Sequence, residues 1–171
     1  MKLKHIFALT VLTAFTTVAL QAEPLEVGDK APTVKTVDQD GKEIDLEKEF
    51  AEGITLVYFY PKAHTGGCTK QACNIRDEFA DVKKAGIKVF GVSADKEEDQ
   101  KSFIEKHDLP FTLLADTKGE VIKGFGVPTN PKGFPARQSY LVKGGKVIWR
   151  DLKAKPTSQA QDAIAAAKEH G

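Results

Sequence analysis

One stretch of the chain decides its fold: residues 54–79, with the sequence ITLVYFYPKAHTGGCTKQACNIRDEF. It begins with Ile54–Tyr60, a nearly continuous apolar and β-branched run that is closed by Pro61. Such a run is typical of a central strand that is covered on both faces of its sheet. A second run of the same kind follows at Ile87–Ser93. We therefore expect two buried strands in this part of the chain.

The segment between these two strands has helical periodicity. Apolar side chains recur in it at steps of three and four residues, at Ala72, Ile75, Phe79 and Val82. This spacing marks one face of an amphipathic helix, which we expect to end near Gly86 because glycine is common just after the last helical turn. The whole segment is thus a predicted strand-helix-strand unit.

The next segment predicts a second helix and a third strand. Asp95 and Glu98 are spaced as a capping box, which places the start of a helix at Asp95. The helical pattern stops before Pro110, and the short run Phe111–Ala115 is a strand candidate.

The last part of the chain predicts a hairpin and a final helix. Gly144-Gly145 separates the strand candidates Ser139–Val142 and Lys146–Trp149, and Ser158–Glu169 is rich in alanine. The chain contains no internal repeat and no linker-like segment. The order of elements predicts a single α/β domain with a central mixed sheet flanked by helices. It is compatible with a thioredoxin-like architecture, although order alone does not establish one.

The first 22 residues differ from the rest of the chain. A short basic start, Met1–His5, precedes the apolar stretch Ile6–Leu20. This pattern predicts a cleavable secretory signal, cut after Ala22 or Ala19, and a mature domain over residues 23–171. An uncleaved membrane anchor is the alternative, but the stretch is short and no stop-transfer pattern follows it. We expect an exported, periplasmic protein with no membrane association after cleavage.

The charge of the chain argues against binding to nucleic acid. Removal of Lys2 and Lys4 with the signal would leave 23 of the 25 basic residues against 24 acidic ones, so the formal charge would fall from +1 to −1. Nucleic-acid binders usually present a cluster of Lys and Arg, and the sequence contains none.

The two cysteines of the chain, Cys68 and Cys73, lie within six residues of each other. They follow a predicted buried strand and stand at the start of a predicted helix. The partial positive charge at a helix N-terminus stabilises a thiolate and makes its sulfur nucleophilic. Cys68 is therefore the better candidate for a nucleophile, although a structural disulfide is the obvious alternative in an exported protein.

The spacing of the cysteines predicts two states of the chain. Five residues along an α-helix rotate the second side chain by about 500° and move it about 7.5 Å along the axis. A disulfide requires Cα atoms within roughly 7 Å and converging Cβ vectors. We therefore expect separated thiols in a helical reduced state, and local unwinding of residues 68–73 in a disulfide-bonded state.

Two motifs resemble a known family. The pattern Pro61-x3-Thr65-x2-Cys68 is similar to the active-site signature of the peroxiredoxins, the AhpC/TSA family, and Cys68-x4-Cys73 resembles their bacterioferritin-comigratory, or PrxQ, subgroup. Weaker similarity extends over further segments, at residues 91–95, 111–116, 125–127 and 137–142. The resemblance implies a thioredoxin-like fold and an antioxidant peroxidase that reduces hydrogen peroxide and organic hydroperoxides with no metal or organic cofactor.

The resemblance also implies roles for five residues. Cys68 would be the peroxidatic thiolate that becomes a sulfenic acid, and Cys73 the resolving thiol that condenses with it to an intramolecular disulfide. Thr65 would hydrogen-bond the thiolate and the peroxide, Arg137 would keep the thiolate charged and polarise the O–O bond, and Pro61 would shape and dry the pocket. A thioredoxin-like dithiol protein would reduce the disulfide, and the protein would be a monomer or a weak dimer.

Other functions of an exported thioredoxin-like protein stay open. A thiol-disulfide reductase usually carries C-x2-C, and copper-delivery proteins resemble C-x3-C with a distant histidine, whereas this chain has C-x4-C. A disulfide-stapled binding domain without enzymatic activity is the remaining class. We expect His64 and His107 to be solvated side chains rather than ligands. The chain departs from the subgroup at Gly66, where a proline is usual, so the loop is expected to be more flexible.

Overall fold

The computed structural model describes residues 23–171, and the predicted secretory signal, residues 1–22, lies outside them. In chain order, the elements of the described residues are β1 (Lys35–Val37), β2 (Glu43–Asp45), α1 (Leu46–Ala51), β3 (Ile54–Phe59), α2 (Gly66–Asp77), α3 (Phe79–Lys84), β4 (Ile87–Ser93), α4 (Glu97–His107), β5 (Thr112–Ala115), α5 (Glu120–Gly124), β6 (Ser139–Lys143), β7 (Lys146–Asp151) and α6 (Gln159–His170). Among them, no helix combines the length and the apolar content that crossing a bilayer requires.

A five-stranded sheet of order β5-β4-β3-β6-β7 forms the centre of the molecule. The pairs β3–β4 and β4–β5 are parallel, because a helical crossover joins each of them, whereas β3–β6 and β6–β7 are antiparallel. The predicted mixed sheet with flanking helices is therefore confirmed. A separate two-stranded ribbon, β1–β2, lies outside this sheet.

The side chains of β3 supply both layers of the core. Leu56 and Tyr58 face one side of the sheet and Val57 and Phe59 the other, and all four are fully buried. The first side is covered by α2, α3, α4 and α6, and the second by α1 and α5. Because both faces are covered, the strand shows the continuous apolar run that the sequence displays. The chain leaves β3 at Tyr60 and reaches the start of α2 within six residues, which places that helix terminus at the carboxyl edge of the sheet.

The hairpin between β6 and β7 has the turn that its sequence predicts. Gly144 and Gly145 both adopt positive φ, at 55° and 72°. A two-residue turn of this type requires positive φ at both central positions, and glycine reaches it without a steric penalty. The strands Ile54–Phe59, Ile87–Ser93 and Thr112–Ala115 and the final helix also lie within a residue or two of their predicted bounds.

The predicted helix before Gly86 is two helices. The backbone leaves helical geometry at Glu78, with φ −99° and ψ 12°, so that α2 ends at Asp77 and α3 begins at Phe79. A change in the backbone dihedral angles of a single residue leaves the spacing of the apolar residues intact, so hydrophobic periodicity could not reveal it. Ala72, Ile75 and Val82 are buried as predicted.

The predicted capping box at Asp95 is wrong. Helix α4 begins at Glu97, and its N-cap is Lys96, which forms no capping hydrogen bond through its side chain. The Asp95 carboxylate instead accepts hydrogen bonds from the backbone N–H of Ala63 and from the hydroxyl of Ser93, both at 2.7 Å. A partner 32 residues away thus displaces the local one that the spacing suggested.

Candidate active site

The sulfur of Cys68 lies in the first turn of α2, as the sequence predicts. Thr65 is the N-cap of this helix, and Cys68 is its third residue. The side chain of Cys68 is 1% exposed and packs in the same core cluster as Tyr58 and Ala72. The helix terminus contributes partial positive charge and free N–H groups, while burial keeps bulk water away from the sulfur. Cys68 therefore occupies a site suited to an activated thiolate.

Arg137, just before β6, brings a full positive charge to this sulfur. Its Nη2 lies 3.4 Å from Sγ of Cys68, and its Nη1 donates a hydrogen bond to Oε1 of Gln71. Gly67 permits this approach, because a Cβ added there would stand 3.1 Å from Nη2 of Arg137. The predicted pairing of Arg137 with Cys68 is thus present in the geometry, although the two residues are far apart in sequence.

Behind Arg137, a chain of buried polar side chains runs to the last helix. Nε2 of Gln71 donates to Oε1 of Gln159 at 2.8 Å, and the hydroxyl of Ser139 donates to the same oxygen at 2.7 Å. Gln71, Ser139 and Gln159 are all buried, with at most 1% of each exposed. The guanidinium is therefore held from behind by a rigid, water-excluded support.

The other two predicted residues border the site in different ways. Pro61 is half-buried and ends the run of β3, so it forms one side of the loop that leads to Cys68. Thr65 is exposed, and its hydroxyl donates to the carbonyl oxygen of Lys62 at 2.9 Å. The structure therefore shows Thr65 bonded within the loop and shows no hydrogen bond from it to Cys68.

Cys73 lies on α2 but faces away from the Cys68 site. Cys68 is buried, Cys73 is half-buried, and both are free thiols. The helix is continuous from Gly66 to Asp77, so both cysteines lie within it. The reduced state that the spacing predicts, with separated thiols on an intact helix, is therefore the state that this structure shows.

A buried network fixes the loop between β3 and α2. The Asp95 carboxylate, which binds the backbone of Ala63, also accepts from Ser93. Ser93 accepts in turn from Nε2 of Gln100 at 2.8 Å, and Oε1 of Gln100 accepts from the Tyr60 hydroxyl. The loop is thereby attached to β4 and α4, so Pro61–Thr65 is held in place despite the glycines that follow it.

Two buried tyrosines, Tyr58 and Tyr60, belong to the same core cluster as Cys68. Burial raises the pKa of Tyr58 well above its usual range, and the neighbouring Tyr60 and Cys68 act in the same direction. Burial also raises the pKa of Tyr60, against the opposing hydrogen bonds from Ser93 and Gln100. Both phenols therefore stay neutral. The Tyr58 hydroxyl has no hydrogen-bond partner among the described residues, and its ring packs against Gly91, where an added Cβ would stand 2.6 Å from it.

The two histidines of this region pack beside the loop. His64 adopts a positive φ of 61°, and its Nε2 lies 2.9 Å from the Ser102 hydroxyl. Both His64 and His107 pack edge-on against the ring of Phe103. Desolvation first, and then the charges of Lys106, His64 and Arg76, lower the pKa of His107. Within residues 23–171, no three His, Cys, Asp or Glu side chains gather as a metal site would require.

Gln71 and Gln159, the two glutamines that support Arg137, are not among the site residues predicted from the sequence. Gln71 could have been found from its position, because it lies three residues after Cys68 and therefore shares the face of the helix on which the sulfur lies. Gln159 has no local signal, since its partner Gln71 is 88 residues away.

Comparisons with known proteins agree with this geometry. The model of the AhpC/TSA family matches residues 27–150. The chain is 50% identical over 104 residues to Peroxiredoxin Bcp of Escherichia coli K12, covering 61% of this chain and 66% of that protein. It is 43% identical over 122 residues to the chloroplastic Peroxiredoxin Q of Suaeda salsa, covering 71% of this chain and 56% of that protein. The matches thus span less than two thirds of the length of these curated relatives.

Solved structures show the same architecture. Peroxidoxin BcpB of Mycobacterium tuberculosis is 28% identical, with a TM-score of 0.79 over 85% of this chain and 97% of the other. Peroxiredoxin Q of Xanthomonas campestris is 27% identical, with a TM-score of 0.76 over 85% and 96% of the two chains. The predicted thioredoxin-like fold is confirmed by these likenesses.

Proposed function

The chain belongs to the AhpC/TSA family, and we propose on that premise that it is a thiol-dependent peroxidase of the Bcp/PrxQ type. Its substrates are hydrogen peroxide and organic hydroperoxides, and Cys68 is the attacking residue. The observation that carries the proposal is the placement of a buried sulfur in the first turn of a helix, with a guanidinium nitrogen 3.4 Å away. Positive charge from two sources then acts on a single sulfur.

The first step is an attack of the Cys68 thiolate on one oxygen of the peroxide. The S–O bond forms as the O–O bond breaks, so that the sulfur is oxidised to a sulfenic acid and the peroxide is reduced. The departing oxygen leaves with the electron pair of the O–O bond and takes up a proton to become water or an alcohol. Arg137 supports this step twice, because its charge favours the thiolate and stabilises the negative charge that develops on the leaving oxygen.

Thr65 and Pro61 shape the entrance to this site. Thr65 is exposed at the N-cap of α2, and a rotation of its side chain away from Lys62 would free its hydroxyl to hydrogen-bond a peroxide. Pro61 presents a rigid ring with no N–H group, which favours a dry wall next to the sulfur.

The second step joins Cys73 to the oxidised Cys68. The Cys73 sulfur attacks the sulfur of the sulfenic acid, an S–S bond forms, and the sulfenic oxygen leaves as water. The intact helix holds the two residues about 7.5 Å apart along its axis, so the first turns of α2 must unwind. Terminal turns are the least stable part of a helix, and Cys68 lies only two residues inside the N-terminus of α2.

A dithiol reductant completes the cycle, and a thioredoxin-like protein of the export compartment has the required chemistry. It attacks the disulfide, passes through a mixed disulfide and returns both thiols to the reduced state. The proposal places the protein in the periplasm as a monomer or a weak dimer. The basic start and apolar stretch of residues 1–22 support export.

A thiol titration tests this function. The reduced protein, treated with one equivalent of hydrogen peroxide, should lose both thiols for each peroxide consumed and gain an intramolecular Cys68–Cys73 disulfide. If the peroxide persists and the thiols stay reduced, the peroxidase assignment is wrong. Copper(I) that is retained after dialysis against a chelator would favour the copper-delivery alternative instead.

Replacement of Arg137 with methionine should slow the attack step strongly. Methionine keeps a long side chain but removes the charge beside the sulfur, and the loss of one such group at a developing charge typically costs about a hundredfold or more in rate. Stopped-flow measurement of peroxide reduction by the reduced protein would show this decrease. Arg150→Met is the matched control, because Arg150 is also half-buried but bonds to Pro24, Leu25 and Glu26 away from the site. Equal rates for Arg137→Met and wild type would contradict the role of Arg137.

A further inference from the structure

The buried chain behind Arg137 has a fixed direction of hydrogen bonding. A guanidinium can only donate, so Gln71 must turn its Oε1 towards Arg137. Its Nε2 then points away from Arg137 and needs an acceptor, and Oε1 of Gln159 supplies it at 2.8 Å. If the amide of Gln71 were flipped, its NH2 group would face the NH groups of Arg137, donor against donor.

Gln159 is held in one orientation by a second donor. The Ser139 hydroxyl donates to the same Oε1, so two donors from different elements converge on a single oxygen. This arrangement leaves Nε2 of Gln159 buried with no hydrogen-bond partner among the described residues. An unsatisfied buried donor is destabilising. Gln159 therefore accepts the hydrogen bond from Gln71 while its own buried Nε2 stays without a partner, which lowers the stability of the fold. Such an arrangement is expected of a residue whose role is to orient its neighbour.

We infer that Gln159, at the start of the C-terminal helix, is a positioning residue for the active site. It acts through Gln71: by accepting from Nε2 of Gln71, it keeps Oε1 of Gln71 towards Arg137 and so keeps Nη2 of Arg137 against Cys68. The inference rests on the proposed role of Cys68 as a peroxidatic thiolate. It assigns to α6 a part in holding the guanidinium against that sulfur.

The test measures the pH dependence of Cys68 alkylation by iodoacetamide. All variants carry Cys73→Ser, so that Cys68 is the single thiol. In Gln159→Leu, Gln71 loses its acceptor and the guanidinium loses its fixed support. Because the guanidinium charge favours the ionised sulfur only while it is held against it, we expect the alkylation midpoint of this variant to lie at higher pH than that of the Cys73→Ser protein. The rate of reaction with hydrogen peroxide at neutral pH should fall by about threefold or more, in line with the smaller thiolate fraction.

Two further variants separate positioning from loosening of the fold. Asn74→Ala weakens the same junction of α2 and α6, because Oδ1 of Asn74 accepts from the backbone N–H of Ala160 at 2.9 Å, but it leaves the chain to Arg137 intact. Asn74→Ala should therefore have the same alkylation midpoint as the parent protein, which carries Cys73→Ser alone. Gln71→Leu removes the hydrogen bond to Arg137 directly. In a Gln71→Leu protein, the additional substitution Gln159→Leu should cause no further shift of the alkylation midpoint, because both residues act through the same series of hydrogen bonds.

The outcomes distinguish this inference from the proposed function. An unchanged midpoint in folded Gln159→Leu, or an equal shift in Asn74→Ala, would overturn the positioning role even if the parent reduces peroxide. A parent that does not react with peroxide would overturn the peroxidase assignment and leave the alkylation result to stand on its own. Should Gln159→Leu fail to fold, Ser139→Ala removes one of the two donors that orient Gln159, and a smaller shift in the same direction is expected. No shift in Ser139→Ala would then count against the inference.

Discussion

A Cys68→Ser variant is expected to lose peroxide reduction by at least about a thousandfold, because removal of an enzymatic nucleophile typically costs that much or more. A serine hydroxyl is not ionised near neutral pH, and its oxygen is a far weaker nucleophile than a thiolate. The measurement is hydroperoxide consumption in the presence of a dithiol reductant. Serine is close to cysteine in size, so the buried first turn of α2 should retain its packing.

The fold of the Cys68→Ser variant serves as its internal control. Circular dichroism and thermal unfolding should match those of the wild type, so that a loss of activity is assigned to chemistry. Consumption of peroxide by this variant at the rate of the wild type would show that the sulfur of Cys68 is not the nucleophile, and the peroxidase proposal in its present form would fall.

A Cys73→Ser variant is expected to reduce one equivalent of peroxide and then stop. Its Cys68 keeps the helix terminus and the guanidinium, so the first oxidation should proceed at the rate of the wild type. The sulfenic acid then has no partner in the chain, and a protein dithiol should no longer support turnover. A burst experiment gives the single equivalent, and trapping of the sulfenic acid with dimedone identifies its site.

The result that would contradict this prediction is steady turnover of Cys73→Ser with the protein reductant. It would show that the sulfenic acid is resolved by the reductant itself or by a second copy of the chain. Loss of the initial burst would point elsewhere, to damage of the Cys68 site by the substitution at position 73.

The sequence predicted the elements that carry strong local signals. The strand at Ile54–Phe59 is buried on both faces, and its apolar run is long enough to stand out from the surrounding residues. The Gly144-Gly145 turn was predictable because a two-residue hairpin needs positive φ at both central positions. The start of α2 near Cys68 followed from the change from the strand pattern to the helical one.

Short elements escaped prediction because their stability comes from distant contacts. Helix α1 has six residues and α5 has five, too few to be stable on propensity alone. The rings of Phe50 in α1 and Phe125, which follows α5, instead pack edge to face, with 6.2 Å between their centroids. Both belong to the part of the core that α1 and α5 cover. No window of the sequence contains both partners, so periodicity could not identify either helix.

The site shows the same division. Cys68 was found from its local context, whereas Arg137 lies 69 residues away and was assigned only through the family resemblance. Thr65 was assigned in the same way, and the structure shows its hydroxyl bonded to Lys62 instead of Cys68. Asp95 carried a convincing local pattern, but its carboxylate holds the loop at Ala63. Polar side chains that bind residues distant in sequence produce no recognisable spacing pattern in the residues next to them.

The irregular backbone at Glu78 divides the helical segment into two cooperative units. Helical hydrogen bonds form and break cooperatively, so a continuous helix would spread any opening at Cys68 towards its far end. The break confines the loss to the 12 residues of α2. Helix α3 keeps its own bonds, from Val82 N–H to the Glu78 carbonyl and from Ala85 N–H to the Asp81 carbonyl. In the proposed redox cycle, the free energy of local unfolding would therefore be that of one short foldon, α2, and α3 would keep its helical hydrogen bonds.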